Sequence, residues 1–260
     1  MNPRQRALDV LSLADPVEKA RAARALFATL QLDALDADAQ LTPTGELPGR
    51  LPKPRLVSAK DVPKRSPFTT DGRAALLHSV THIELNAIDL ALDAAWRFTG
   101  MPPTYYRDWL RVASEEALHF TLLREHLQTL GFDYGDFDAH DGLWAMTQRT
   151  AHDITARMAL VPRTLEARGL DATPPMQARL RKAGDERAVE ILGVILRDEV
   201  GHVAVGNRWY RWLCARDGLD PVALYPELAA RFGAPRLRAP FNIEARLAAG
   251  FTAAEIALLG

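Results

Sequence analysis

Cysteine is nearly absent from this chain: Cys214 is the only one among 260 residues. That excludes an internal disulfide and a four-cysteine iron site of the rubredoxin type. Long apolar runs are missing as well. No stretch approaches the roughly 18 apolar residues of a membrane-spanning helix, and no apolar signal segment opens the chain. The expectation is a cytoplasmic protein with no membrane partner. Neither sign of charge dominates: 32 Lys and Arg stand against 33 Asp and Glu, a net charge of −1, which gives no electrostatic case for nucleic acid. Phosphate-cradling glycine loops, a dinucleotide fingerprint and a nucleophile elbow are all lacking. With 48% hydrophobic and 25% charged residues, the composition is globular.

What is present is a metal-ligand pattern that occurs twice, as Glu116-x-x-His119 and Glu199-x-x-His202. A glutamate precedes each copy, Glu84 by 32 residues and Glu166 by 33. Residues three apart on an α-helix point the same way, so each pair brings a carboxylate and an imidazole to one place. Two pairs and two further glutamates make six ligands, the inventory of di-iron and di-manganese carboxylate four-helix bundles.

Helix geometry supports the first half. The spacing predicts a helix from Arg73 to about Phe98, a break at Gly100-Met-Pro-Pro103, and a second helix from about Thr104 to Leu130, stopped by Gly131. On an antiparallel pair, Glu84 and Glu116 then differ in height by only about 3 Å. Both lie in apolar stripes: Val80, Glu84, Ala87 and Ala91 on one helix, and Ala113, Glu116, Phe120, Leu123 and Leu127 on the other. A carboxylate in such a stripe is costly unless paired or metal-bound.

The second half fits with more strain. A third helix is expected over about 142–168 and a fourth over about 184–216, with Leu192, Ile195, Glu199, His202 and Trp209 facing inward. Glu166 then falls near the end of its helix, so the connection has to climb about 18 Å to bring it level with Glu199. Thr173-Pro174-Pro175 reads as the start of a short helix through Lys182 that makes this climb. Pro162 should kink the third helix near the site. Asp153 is the alternative ligand to Glu166, and Glu190 reads as a solvated residue.

An acid precedes each ligand pair, Glu115 before Glu116 and Asp198 before Glu199. Metal-bound histidines usually donate their second N–H to a carboxylate, so crosswise pairing of Asp198 with His119 and of Glu115 with His202 is expected. Glu115, four residues before His119, is an alternative ligand to Glu116. His78, His82, His126, His140 and His152 lack partners at ligand spacing and read as surface or hydrogen-bonded residues. Trp96, Tyr105, Tyr106, Trp109, Trp144, Trp209 and Trp212 read mostly as core.

The stretches His82-Ile-Glu-Leu85, Glu115-Glu-Ala-Leu-His-Phe120, Leu160-Val-Pro-Arg-Thr-Leu-Glu-Ala-Arg-Gly-Leu-Asp171 and Arg197-Asp-Glu-Val-Gly-His-Val203 resemble a bacterial ferritin-like domain family of conserved proteins of unknown function. The likeness extends through Gly184-Asp-Glu-Arg187, Arg208-Trp-Tyr-Arg-Trp-Leu-Cys214 and Phe241-Asn-Ile-Glu-Ala-Arg246. More distantly, the ligand set is similar to that of ferritin-like di-iron proteins, bacterial hydroxylases and a tRNA hydroxylase among them. The resemblance implies an all-α, ferritin-like four-helix bundle around two transition-metal ions. Iron comes first, with manganese or a mixed manganese–iron pair as alternatives. By analogy, Glu84 and His119 serve one metal, Glu166 and His202 the other, and Glu116 and Glu199 bridge.

Three segments are expected: 1–72 with two short helices and a proline-rich arm, 73–216 as the bundle, and 217–260 as an extension packing on it. The functional expectation is an oxygen-dependent oxidase or hydroxylase. It would act on a small-molecule substrate with an external electron donor, as a monomer or homodimer. The alternatives are a ferroxidase-like iron or oxidant handler, a tRNA-modifying hydroxylase by distant analogy, and a scaffold whose metal is structural.

Overall fold

The computed structural model describes residues 1–63 and 65–259, leaving Lys64 of the arm and Gly260 outside the description. The chain is all-α. Among the described residues there is no β-strand, only an isolated parallel bridge between Leu56 and Ala139. None of the described helices is long and apolar enough to cross a membrane. Contacts divide the chain into two compact units, Met1–Trp144 with Ala183–Ile191, and Ala145–Lys182 with Leu192–Gly260.

The first unit opens with α1 (Pro3–Leu11) and α2 (Pro16–Ala28). Asp15 caps α2 as expected, its carboxylate accepting from the Val17 and Glu18 amides at 2.9 Å. Pro16 follows at the first helical position, where its missing N–H costs nothing. Their buried faces, including Leu8, Leu11, Ala20, Ala23 and Leu26, pack on α3 (Thr70–Arg97) and α4 (Pro103–Thr129). The predicted break between these two long helices is present. Gly100 takes a left-handed φ of 69°, and the prolines at 102 and 103 start α4.

Residues 35–63 and 65–69 form an irregular arm, and arginines hold it in place. Arg50 donates to Asn86 on α3 (3.2 Å) and to Asp141 (2.8 Å). Arg55 makes a two-point pair with Asp138 at 3.0 and 2.5 Å. Arg4 on α1 donates to the carbonyls of Asp36, Ala37, Ala39 and Trp96, joining the start of the arm to the end of α3.

The second unit departs from the predicted helix three. Helix α5 (Gly142–Arg149), which begins in the first unit, is followed by a break at 150–153, and Asp153 caps α6 (Ile154–Leu160) through the Ala156 amide at 2.8 Å. Then comes a π-helical stretch, Val161–Glu166, running directly into α7 (Ala167–Lys182). The short helix expected after Thr173 is therefore the second half of α7, with Pro174 and Pro175 inside it. Proline at 174 removes the donor that would satisfy the Leu170 carbonyl four residues earlier. The Asn242 side-chain amide donates to that carbonyl instead, at 3.2 Å. A tertiary contact thus replaces the lost helical bond, and no climbing connection is needed.

Helix α8 spans Glu186–Asp217, and the tail folds as α9 (Pro221–Arg231), α10 (Ile243–Ala248) and α11 (Ala253–Ala257). The tail docks by burial and by arginine. Ala245, Ala249, Phe251 and Ile256 share a core with Ala167, Leu170 and Val203. Arg246 pairs with Asp171 at 3.0 and 2.5 Å.

Candidate metal centre

In the first unit, α3 and α4 bring Glu84, Glu116 and His119 together. The predicted stripes are buried throughout, from Val80 through Ala91 and from Ala113 through Leu127. His119 Nδ1 lies 3.1 Å from a Glu84 carboxylate oxygen and 3.1 Å from one of Glu116. All three donor atoms fall within 4.8 Å of one another. Metal–ligand bonds of about 2.1 Å at right angles place neighbouring donors about 3 Å apart, so the two contacts match the edge of a coordination polyhedron. One ring nitrogen facing two carboxylates fits a shared cation better than a single N–H, which serves one acceptor well.

Electrostatics point the same way. Burial pushes the Glu84 carboxyl up to about 7, the Glu116 carboxylate adds to the rise, and the His119 hydrogen bond opposes it. Two acids with no room in water for their charge need a proton or a cation between them. A divalent ion meets that need, and the donor set of one imidazole and two carboxylates suits iron or manganese. Glu115, the alternative ligand, is partly exposed and lies 4.0 Å from Arg111. Glu116, fully buried, is the residue the fold places at the cluster.

In the second unit, Glu166, Glu199 and His202 are likewise buried, at 8%, 6% and 0% exposure. Glu166 ends the π-helical stretch, the kind of helical irregularity often found at functional sites. The Thr164 hydroxyl donates to the Ala159 carbonyl at 2.8 Å, the bond that Arg163 N–H would have made in a regular α-helix. Pro162 lies so near α8 that a Cβ at Gly206 would be 2.6 Å from its ring. Glu199 faces α7: its carboxyl carbon lies 4.0 Å from where a Cβ at Gly169 would stand, one turn beyond Glu166. Asp153 is occupied as a helix cap, so it is not the alternative to Glu166. Asp198 is half-buried and accepts from Arg197 at 2.9 and 3.2 Å. Glu190 is exposed beside Arg187, as predicted.

The histidines set aside in the sequence are not surface residues in every case. His82 is buried, with Nδ1 2.7 Å from the Tyr134 hydroxyl and Nε2 3.0 Å from Asn86. Burial lowers it to about 3 and keeps it neutral. His78 stacks on Tyr134 and accepts from the Gly135 amide at 2.9 Å. Tyr134 follows α4 by only a few residues, and nothing in its local pattern marks it as the partner of α3 histidines. Below this network lies a buried ion pair, Lys19 to Asp89 at 2.6 Å.

Across residues 12–257 the chain matches the family described as "Protein of unknown function (DUF455)". The chain belongs to this family. It is also 48% identical to an uncharacterized protein of Haemophilus influenzae, over 97% of this chain and 91% of the relative. No solved structure matches it. The DUF455 chain thus carries a buried Glu–Glu–His cluster able to hold a metal ion.

Proposed function

We propose that this DUF455 protein is a dinuclear, ferritin-like metalloprotein and an oxygen-dependent oxidase or hydroxylase of a small-molecule substrate. The observation that carries the reading is the Glu84–Glu116–His119 cluster, with its 3.1 Å donor separations and its carboxyl displaced to about 7. In this reading Glu84 and His119 hold one ion, Glu166 and His202 hold the second, and Glu116 and Glu199 serve both. Two iron ions, with manganese or a mixed pair as the variant, supply the electrons for reducing dioxygen.

The chain's own residues do the rest. The carboxylates neutralise the ions, and the apolar stripes keep bulk water from the ligands. Asp198 and Glu115 hold the second N–H of His119 and His202 crosswise, fixing each ring. An external donor returns the electrons, and the protein works in the cytoplasm as a monomer or homodimer. Iron storage in a closed shell is disfavoured by the long segments flanking residues 73–216. The arm's Arg50 and Arg55 are paired with Asp141 and Asp138, which offsets two of its positive charges.

Elemental analysis of protein expressed with added iron tests the metal reading; two ions per chain are expected. Adding oxygen to the reduced, iron-loaded protein tests the reaction class. Rapid oxygen uptake by a particle of one or two chains, lost in Glu116→Ala, supports the oxidase. A large hollow particle accumulating iron far beyond its ligands would overturn it.

A further inference from the structure

Away from the candidate ligands, the second unit contains a cavity of about 430 Å³. Small-molecule sites typically enclose ~300–1,000 Å³, walled by apolar side chains around a few convergent polar groups. The apolar walls here include Val222, Pro226 and Ala229 on α9, then Leu237, Phe251 and Leu258. Among the described residues, the charged groups lining it are Arg163, Glu255 and Arg236.

Arg163 is 4% exposed. One terminal nitrogen donates to Asn207, the other to Glu255 at 2.7 Å, and the rings of Tyr210, Tyr225 and Phe251 pack against the guanidinium. Its Nε is buried and has no acceptor. Arg163 forms part of the cavity wall, and natural interiors rarely leave a buried donor without an acceptor.

The charge count fixes the sign of that acceptor. Glu255 takes both Arg163 and Arg211, each at 2.7 Å, so two guanidiniums share one carboxylate. Arg236, exposed among the lining residues, adds a further positive charge. Among the described residues, Glu255 is the one acid that lines the cavity. A neutral apolar guest would leave Nε open, and a small inorganic anion would leave the apolar walls facing water.

We propose that this cavity binds an organic acid with an apolar body, its carboxylate accepting from Arg163 Nε and paired with Arg236. The site uses residues of the second unit alone and does not depend on the metal reading.

Titration calorimetry of the full chain with decanoate, decanol and acetate tests this, repeated with a chelator present. Decanoate is expected to bind one per chain, with or without chelator, and decanol about tenfold more weakly or worse. Acetate should give no binding. Ala229→Phe fills the cavity without touching an ion pair and should weaken decanoate by about tenfold or more, with the unfolding midpoint confirming an intact fold. Arg236→Ala should weaken decanoate about 2–5-fold and leave decanol unchanged. Equal affinity for decanoate and decanol would overturn the proposal. So would no decanoate binding by the folded protein, or wild-type binding by Ala229→Phe.

Discussion

The same Glu-x-x-His motif is held by two very different frames. Glu84, Glu116 and His119 sit on α3 and α4, two long helices without a break. Glu199 and His202 have as regular a support in α8, but Glu166 lies where α6 passes through a π-helical stretch into α7. The first set needs only helix register to assemble. Around Glu166, by contrast, Pro162 is seated against Gly206, Thr164 bonds back to Ala159, and Asn242 covers the Leu170 carbonyl. Ligand identity is symmetric along the chain, while the means of positioning are not.

Removing a ligand of the regular half gives the largest effect. Glu116→Ala should lower metal affinity by about 100-fold or more, since it deletes a donor and leaves the neighbouring imidazole and acid unbalanced. Equilibrium dialysis with Fe(II) or Mn(II) measures it. Undiminished metal content would remove Glu116 from the site.

Asp198 on α8 comes next. Asp198→Ala is expected to weaken metal binding about 10–100-fold with the fold intact, whereas Glu190→Ala on the opposite face should change nothing. If the two variants behave alike in the same titration, the inward face of α8 has been misassigned.

Gly206→Ala attacks the irregular half alone. Alanine favours helix, yet its methyl would stand 2.6 Å from the Pro162 ring, so the clash decides the sign. A loss of about 1–3 kcal/mol in stability is expected, together with weaker binding of the second ion and no change at the first. Thermal unfolding and stepwise metal titration separate the two. A stabilised variant would show that Pro162 yields easily.

The smallest effect is a slope with pH. Folded Glu84 keeps its proton up to about 7, against 4.5 for an ordinary glutamate. Its folded value is the higher one, so the folded state binds more protons across that window and loses stability as pH rises through it. Chelator-treated protein should therefore be less stable at pH 8 than at pH 5 in this contribution, and Glu84→Gln should flatten the slope. Metal competes with that proton, so metal affinity should rise over the same interval. An unchanged slope in Glu84→Gln would assign the pH dependence to other groups.

Much of the regular half was legible in the sequence. Asp15-Pro16, the Gly100–Pro103 break and the apolar stripes around Glu84 and Glu116 depend on local rules, and the structure follows them. The irregular half was not. Thr173-Pro174-Pro175 reads locally as a helix start but is helix interior, where Asn242, far along the chain, meets the carbonyl that Pro174 leaves open. The π-helical stretch depends on Gly206 leaving room for Pro162, a fact of packing that no spacing reveals. In the regular half, His82 is hydrogen-bonded, one of the two expected states, but its partner Tyr134 lies on a turn with no periodicity to betray it.

One consequence of the Arg4 contacts concerns synthesis. Helix α1 reaches its docking carbonyl on Trp96 across 92 residues of chain. At about 5–20 residues per second, α1 waits roughly 5–20 s after its own synthesis before its arginine has that acceptor. Through that interval the apolar face of α1, with Leu8 and Leu11, stays without its α3 neighbour. Helix α1 is therefore made well before the contact that secures it.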